Sequence, residues 1–146
     1  MKRTLSLEAN EQIGQTIKML GWVHVRRNLG KLIFIDLRDR QSLMQVIFVP
    51  DELDSDSLEA AKNLRPEFVI EVEGIVQKRI GKNINPEMPT GEIEVLAKKM
   101  TIINKAETPP FEIDQDTRQV SEELRLKYRY LDLRSQRMSG NLRKRH

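Results

Sequence analysis

The sequence predicts a small all-β domain: five strands curled into a barrel, one helix between strands three and four, then a linker and a basic C-terminal helix. Three observations carry this. Apolar and polar residues alternate with a period of two in several short runs. Two of the longest runs contain a lone glycine, Gly21 and Gly74, as a bulged or sharply bent strand wants. Only one internal segment has helical spacing before Pro109-Pro110 breaks the pattern.

The first strand is expected over Thr16 to Val25, with Trp22 assigned to the core. Asn28 to Lys31 supplies a turn into the second strand, Leu32 to Arg38. There Ile33, Ile35 and Leu37 point one way and Leu32, Phe34, Asp36 and Arg38 the other. The third strand runs from Leu43 to Val49 and stops at Pro50. A helix over about Asp54 to Leu64 follows, capped by Asp54 or Ser55, with acids in its first turn and an apolar stripe of Leu58, Ala61 and Leu64. Phe68 to Arg79 is the fourth strand, and residues 83–91 form a loop by composition. Glu92 to Leu96 is the fifth strand, Ile93 and Val95 inward, and Met100 to Ile103 extends or follows it. Five strands with this helix placement describe an OB-fold. The expected division is a barrel over 1–107, a linker over 108–120 and a hinge helix over 121–146, on which Leu124, Tyr128 and Leu131 share a face. Helical character persists to His146 without a closing cap, so a further domain is expected beyond it.

Composition excludes several functions. The chain of 146 residues has no cysteine and two histidines, which removes disulfides, thiol catalysis and cysteine or histidine metal clusters. No apolar run approaches the ~20 residues of a membrane helix, and the first ten residues lack the apolar core of a secretion signal. A soluble, cytoplasmic protein is expected. The pI of 9.3 is less informative than it looks. Residues 1–110 hold 16 basic and 16 acidic side chains, so the whole net charge of +3 lies in the last 36 residues. Patches matter more: Arg26 to Arg40 carries five basic against two acidic residues, and Asp51 to Glu59 carries five acidic and none basic. Separated patches can present one positive face to an anion.

No phosphate loop, nucleophile elbow or His–Glu–His spacing is present. Asp36 and Asp39 flank Arg38, an arrangement more typical of an ion pair than of acid–base catalysis. No catalytic residue, metal ligand or cofactor site is assigned to this chain. Binding is better served. Phe34 lies opposite Ile33 and Ile35, so it either stacks a nucleobase on the outside of the barrel, or plugs one end of the barrel or packs under the 83–90 loop; these readings are open from spacing alone. Gln45 offers a donor and an acceptor to a base edge, or is a solvated strand residue. Arg26, Arg27 and Arg79 could hold phosphate, or form a solvated basic face. Glu92 either pairs with an arginine or accepts from a base amino group. Asn83 and Asn85 are turn formers first.

These residues together carry a resemblance. Gly21-Trp22-Val23-His24-Val25-Arg26-Arg27, followed by Gly30 to Arg40, resembles the N-terminal anticodon-binding domain of class IIb aminoacyl-tRNA synthetases. Gln45-Val46, Lys82-Asn83-Ile84-Asn85, Thr90 to Val95 and the stretch Leu126 to Arg134 narrow it to the bacterial aspartyl-tRNA synthetase family. The likeness runs nearly end to end. It departs at Ser6-Leu7-Glu8, where the family often carries Cys-Gly. It implies that Phe34 stacks on an anticodon base, that Gln45 and Glu92 read base edges, and that Arg26, Arg27, Arg79, Asn83 and Asn85 make further anticodon-loop contacts. It implies that Leu29 and Lys82 belong to the subtype that discriminates against the asparagine tRNA. It also implies a tRNA partner and a parent homodimer that charges tRNA with aspartate using ATP and Mg²⁺, by residues outside this chain. The alternative of another class is a general single-stranded nucleic-acid-binding OB protein with no enzyme attached. A single stacking aromatic and the basic hinge argue against it.

Overall fold

The computed structural model describes residues 1–146, except for the side chain of Lys82. Two compact units appear, 1–108 and 109–146. In the first, β1 (Thr16–Leu29), β2 (Leu32–Arg38), β3 (Leu43–Phe48), β4 (Val69–Lys78) and β5 (Ile93–Asn104) close into a barrel in the order β1-β2-β3-β5-β4. All neighbours are antiparallel except β3 and β5, which pair in parallel through Val46↔Val95 and Ile47↔Leu96. This is the five-stranded OB architecture expected from the alternation.

The inward residues are those the period of two selects. Ile17, Met19 and Val23 of β1, Ile35 and Leu37 of β2, Met44, Val46 and Phe48 of β3, and Ile70, Val72 and Val76 of β4 are all at most 1% exposed. Gly74 sits where β5 passes close against β4: a Cβ there would lie 2.3 Å from the carbonyl oxygen of Leu96, so any side chain would force the strands apart. The ladder also shifts register here: Glu73 pairs with Lys99 and Gly74 with Ala97, so Lys98 is the extra residue of a bulge on β5, opposite the glycine.

The helix α1 (Ser55–Lys62) lies between β3 and β4. Asp54 caps it by accepting from the Ser57 amide at 2.9 Å. The Ser57 hydroxyl in turn accepts from the Met100 amide at 2.8 Å, tying α1 to β5.

Three expectations change. β1 runs four residues past Val25, because the two-residue turn Gly30-Lys31 closes a hairpin whose arms pair to Leu29↔Leu32. Trp22 is not in the core: it is 43% exposed. It falls between the inward Gly21 and Val23, and the Arg38 guanidinium lies over its ring at 6.0 Å. The region after residue 108 is not a linker followed by one helix. Phe111 and Ile113 are buried with Leu131, and Val120, Leu124 and Tyr128 pack on them, so residues 109–120 belong to the second unit's own core. The helical part is three pieces, α2 (Glu122–Lys127), α3 (Arg129–Asp132) and α4 (Gln136–Arg145). Tyr128 leaves helical geometry at φ −109°, ψ 45°, and Ser135 caps α4. Asp132, fully buried, accepts from the Thr117 hydroxyl at 2.7 Å and from Arg129 at 2.9 Å, which pins the turn between these pieces. No helix among the described residues is long and apolar enough to cross a membrane.

Candidate nucleic-acid interface

Strand register decides which outward side chains meet. Asp36 pairs with Gln45 across β2 and β3, and Glu94 pairs with Gln77 across β5 and β4. Because Val46 lies beside Val95, Gln45 and Glu94 meet as well. One continuous polar row, Asp36–Gln45–Glu94–Gln77, therefore crosses four strands on the outside of the barrel. Gln45 Nε2 donates to one Glu94 oxygen at 2.7 Å, and Gln77 Nε2 donates to the other at 2.8 Å. The carboxylate is gripped by two amides. Arg27 completes the row, donating to Asp36 at 2.7 Å and to Gln45 Oε1 at 3.3 Å. Asp36, Gln45 and Glu94 are each only 8% exposed although they face outward. Burial pushes the Asp36 carboxyl up from its usual range, against the pull of Arg27, Arg79 and His24.

A second row lies beside the first: Arg27↔Phe34, Phe34↔Ile47 and Ile47↔Leu96. Phe34 is half-buried on this outer face, while its neighbours Ile33 and Ile35 are inside. An aromatic ring beside a row of fixed donors and acceptors is suited to a flat, polar-edged group such as a nucleobase.

The other expected residues divide. Gln45 and Arg27 join Phe34. Arg26 does not: it pairs with the inward Ile35, and its Nη2 donates to the Lys62 carbonyl at 3.1 Å, at the end of α1. Consecutive strand residues leave on opposite sides, so only one of the two arginines can face the polar row. Arg79 is not a surface cation. It is 6% exposed, and its Nε donates to the Ile93 carbonyl at 2.8 Å, bracing the loop before β5. Burial lowers its pKa from the arginine norm, and the nearby Glu94 and Asp36 oppose that shift. One nitrogen, Nη2, is buried without a partner.

Glu92 is exposed in the turn before β5 and contributes its carbonyl to the Arg79 amide at 2.8 Å; the acid in the polar row is Glu94. Glu94 was legible in principle, since it shares the outward parity of Glu92 between Ile93 and Val95. Gln77 was missed for a different reason, because its partner lies on another strand. Asn83 is exposed, and Asn85 uses its side-chain oxygen to accept from the Glu87 amide at 3.0 Å, as a turn former does. Leu29 is 64% exposed at the hairpin tip; the side chain of Lys82 lies outside the described residues.

Asp36 and Asp39 do not form a pair. Asp39 accepts from the Ser6 amide and hydroxyl at 2.6 and 2.8 Å, and from the Gln41 and Ser42 amides at 2.8 and 3.1 Å. Burial works against its charge, but these bonds outweigh it and leave its pKa lowered. Among the described residues, no group of three His, Cys, Asp or Glu side chains could hold a metal ion.

Comparison with known proteins agrees with this geometry. The aspartate–tRNA ligase of Staphylococcus carnosus is 49% identical over 99% of this chain. The aspartate–tRNA(Asp/Asn) ligase of Halothermothrix orenii is 53% identical over 94% of it. The chain spans only 25% and 23% of those proteins' lengths. Asparaginyl-tRNA synthetase from Pyrococcus horikoshii, solved with asparaginyl-adenylate, superposes with a TM-score of 0.73 at 30% identity, covering 92% of this chain and 29% of that one. Residues 17–103 match the tRNA anticodon model, described as an OB-fold nucleic acid binding domain. That span contains the whole polar row and all five strands but for Thr16 and Asn104 at the two ends, and the chain belongs to this family of OB-fold nucleic-acid-binding domains.

Proposed function

We propose that this chain is the anticodon reader of an aspartate–tRNA ligase: it takes single-stranded anticodon bases onto the outer face of β2, β3 and β5. The observation that supports this most is Phe34 standing beside the Asp36–Gln45–Glu94–Gln77 row. A ring supplies stacking to any base, whereas fixed acceptors and amides choose among base edges. In this reading Phe34 stacks, Gln45 reads an edge, and Glu94 takes the base-reading role expected of Glu92. A carboxylate in this position accepts from an amino group, and held by two amides it cannot swing away. Arg27 adds positive charge on the same face. Arg79 and the turns at Asn83 and Asn85 shape the loop that borders it. Leu29, at the hairpin tip, and Lys82 remain the residues proposed to discriminate against the asparagine tRNA.

The parent enzyme in this proposal is a cytoplasmic homodimer that activates aspartate with ATP and Mg²⁺ and esterifies its tRNA. The residues here do not fit those groups, and aminoacylation is assigned to residues outside this chain. A general single-strand binder is less well supported, since one stacking aromatic beside one row of base-edge groups suits a short, specific site.

The test is binding of an anticodon stem-loop of the aspartate tRNA against the same stem-loop with its anticodon bases changed. Discrimination of tenfold or more is expected. Equal affinity for both, or for an unrelated single strand, would overturn specific reading. Incubated with ATP, aspartate and tRNA, the chain alone should yield no aspartyl-tRNA.

A further inference from the structure

Arg26, excluded from the polar row by strand parity, leads to a second place of interest. It borders a cavity of ≈ 370 Å³ at the end of the barrel, between the β1–β2 hairpin and α1. The charged residues lining it are Arg26 from β1, Lys31 from the hairpin turn and Lys62 from the last turn of α1; no carboxylate lines it. Its floor is apolar, with Ile33 and Leu58. Among the described residues no ion pair joins Arg26, Lys31 or Lys62 to an acid. Arg26 has one anchor, the Lys62 carbonyl, and its Nε is buried with no partner.

Three cations from three elements gather with no acid in the lining, and the end of α1 adds only partial negative charge. Several other cations of the first unit are neutralised directly. Lys18, Arg27, Arg38 and Lys98 are each paired with an acid. A concave, uncompensated cluster with an orphaned N–H is suited to an anion with several acceptor oxygens.

The position of the cavity says which anion. Ile33, on its floor, is followed by Phe34, on the recognition face, and Arg26 is followed by Arg27. The same hairpin therefore presents a base-stacking ring on one side and the basic cavity on the other. A strand that laid a base on Phe34 could carry its sugar–phosphate backbone round this hairpin to the cavity.

We propose that Arg26, Lys31 and Lys62 form a phosphodiester-binding site for the RNA backbone flanking the bases read on the Phe34 face, which rests on the RNA-binding function proposed above. The site positions the strand and carries no sequence preference of its own.

The test uses the 146-residue chain, a Lys31→Ala/Lys62→Ala variant and Phe34→Ala, each titrated with the anticodon stem-loop across a range of salt. Both lysines are exposed, so the double variant should fold. Its log–log salt slope should fall by about 0.7 for each phosphate that the variant no longer neutralises. Its preference for the true over the altered anticodon should stay as in the parent chain. Phe34→Ala should weaken binding with the slope unchanged. An unaltered slope and affinity in the lysine variant would overturn the site, as would a loss of anticodon preference, which would make the lysines base readers. A lowered slope with Phe34→Ala silent would keep the backbone site and sink base reading. No stem-loop binding by the parent chain would sink both. Amine acetylation read by mass spectrometry is an independent arm, with Lys2 as reference. The stem-loop should protect Lys31 and Lys62, and millimolar inorganic phosphate should not. Equal protection by inorganic phosphate would reassign the cavity to free anions, and protection by neither would overturn it.

Discussion

Two stretches of the barrel's outer surface carry charge in opposite ways. Across β1 and β4, Lys18 reaches Glu71 at 2.9 Å and Glu73 at 3.0 Å, with all three side chains 21–33% exposed. Hydrogen bonds to the two carboxylates raise the Lys18 pKa, and the bond from Lys18 lowers that of Glu73. The charges answer one another, and water covers them. Across β2, β3, β5 and β4, the Asp36–Gln45–Glu94–Gln77 row is mostly buried, with an aromatic ring beside it and an orphaned Arg79 nitrogen behind it. Exposed pairs contribute at most ~1 kcal/mol and cost little. Buried polar groups are costly unless satisfied, and this row satisfies itself through the Arg27, Gln45 and Gln77 hydrogen bonds; in the proposed function it is the surface that meets the base edges. Charge density does not distinguish the two stretches. Burial and partner chemistry do.

The largest expected difference comes from truncating an acid in each. Glu94→Ala leaves the Gln45 and Gln77 amides without their acceptor and removes a negative charge near Arg79. Stem-loop binding should weaken by roughly 2–5 kcal/mol, the cost of removing one partner from a buried charged contact. Folding stability should fall by about 1–3 kcal/mol. Glu71→Ala should change stability by no more than about 0.5 kcal/mol and leave binding alone. Urea unfolding and RNA titration on the same preparations check both, and equal effects would erase the contrast.

Next in size is the comparison of the two outward aromatics. Phe34→Ala should cost roughly 1–3 kcal/mol in RNA binding and little stability, since a ring on the outer face leaves no closed cavity. Trp22→Ala should leave RNA binding unchanged and lower stability by about 1 kcal/mol, through its contact with Arg38. If Phe34→Ala instead destabilises by about 3–5 kcal/mol, as filled cores do, the ring is packing rather than stacking.

The smallest effect is on pH dependence. Asp39 has a lowered folded pKa, so its stabilising contribution is present above the unfolded value of about 3.9 and is lost as pH falls through the folded value. Asp36 has a raised folded pKa, so the folded state holds its proton more tightly and stability drops as pH rises from the unfolded towards the folded value. Relative to Asp39→Asn, the parent chain should lose its advantage on acidification. Relative to Asp36→Asn, it should gain. Stability curves between pH 3 and 7 that run the same way for both would refute the separation of these carboxylates into a structural and a recognition role.

Much of this was legible residue by residue. Alternation in β2 put Phe34 outside and Ile33, Ile35 and Leu37 inside; the glycines of β1 and β4, read as signs of bulged or bent strands, instead mark places where a neighbouring backbone leaves no room for a Cβ. Pro50 marked the end of β3 and Asp54 the start of α1. These are local properties: the pleat sends successive side chains to opposite faces, and capping depends on residues within one turn. The same rule, carried two residues on from Glu92, reaches Glu94.

Other features depended on where distant strands came to lie. Trp22 read as core because large aromatics favour burial, yet its parity between Gly21 and Val23 placed it outside, on Arg38. Arg26 and Arg27 looked equivalent until the pairing with Ile35 and Phe34 separated them. Gln45, Glu94 and Gln77 are neighbours only because β5 inserts between β3 and β4, with one parallel pairing that closes the barrel. The three short helices after Ser121 share a periodic apolar stripe with a single helix; the breaks fall at Tyr128 and Ser135, either side of Leu131, which packs on Phe111 and Ile113. The amino-acid sequence by itself determined which side chains face out, because that is a matter of sterics between adjacent residues. Only the tertiary structure decided which of them meet, because register across a closed barrel is settled by all five strands together.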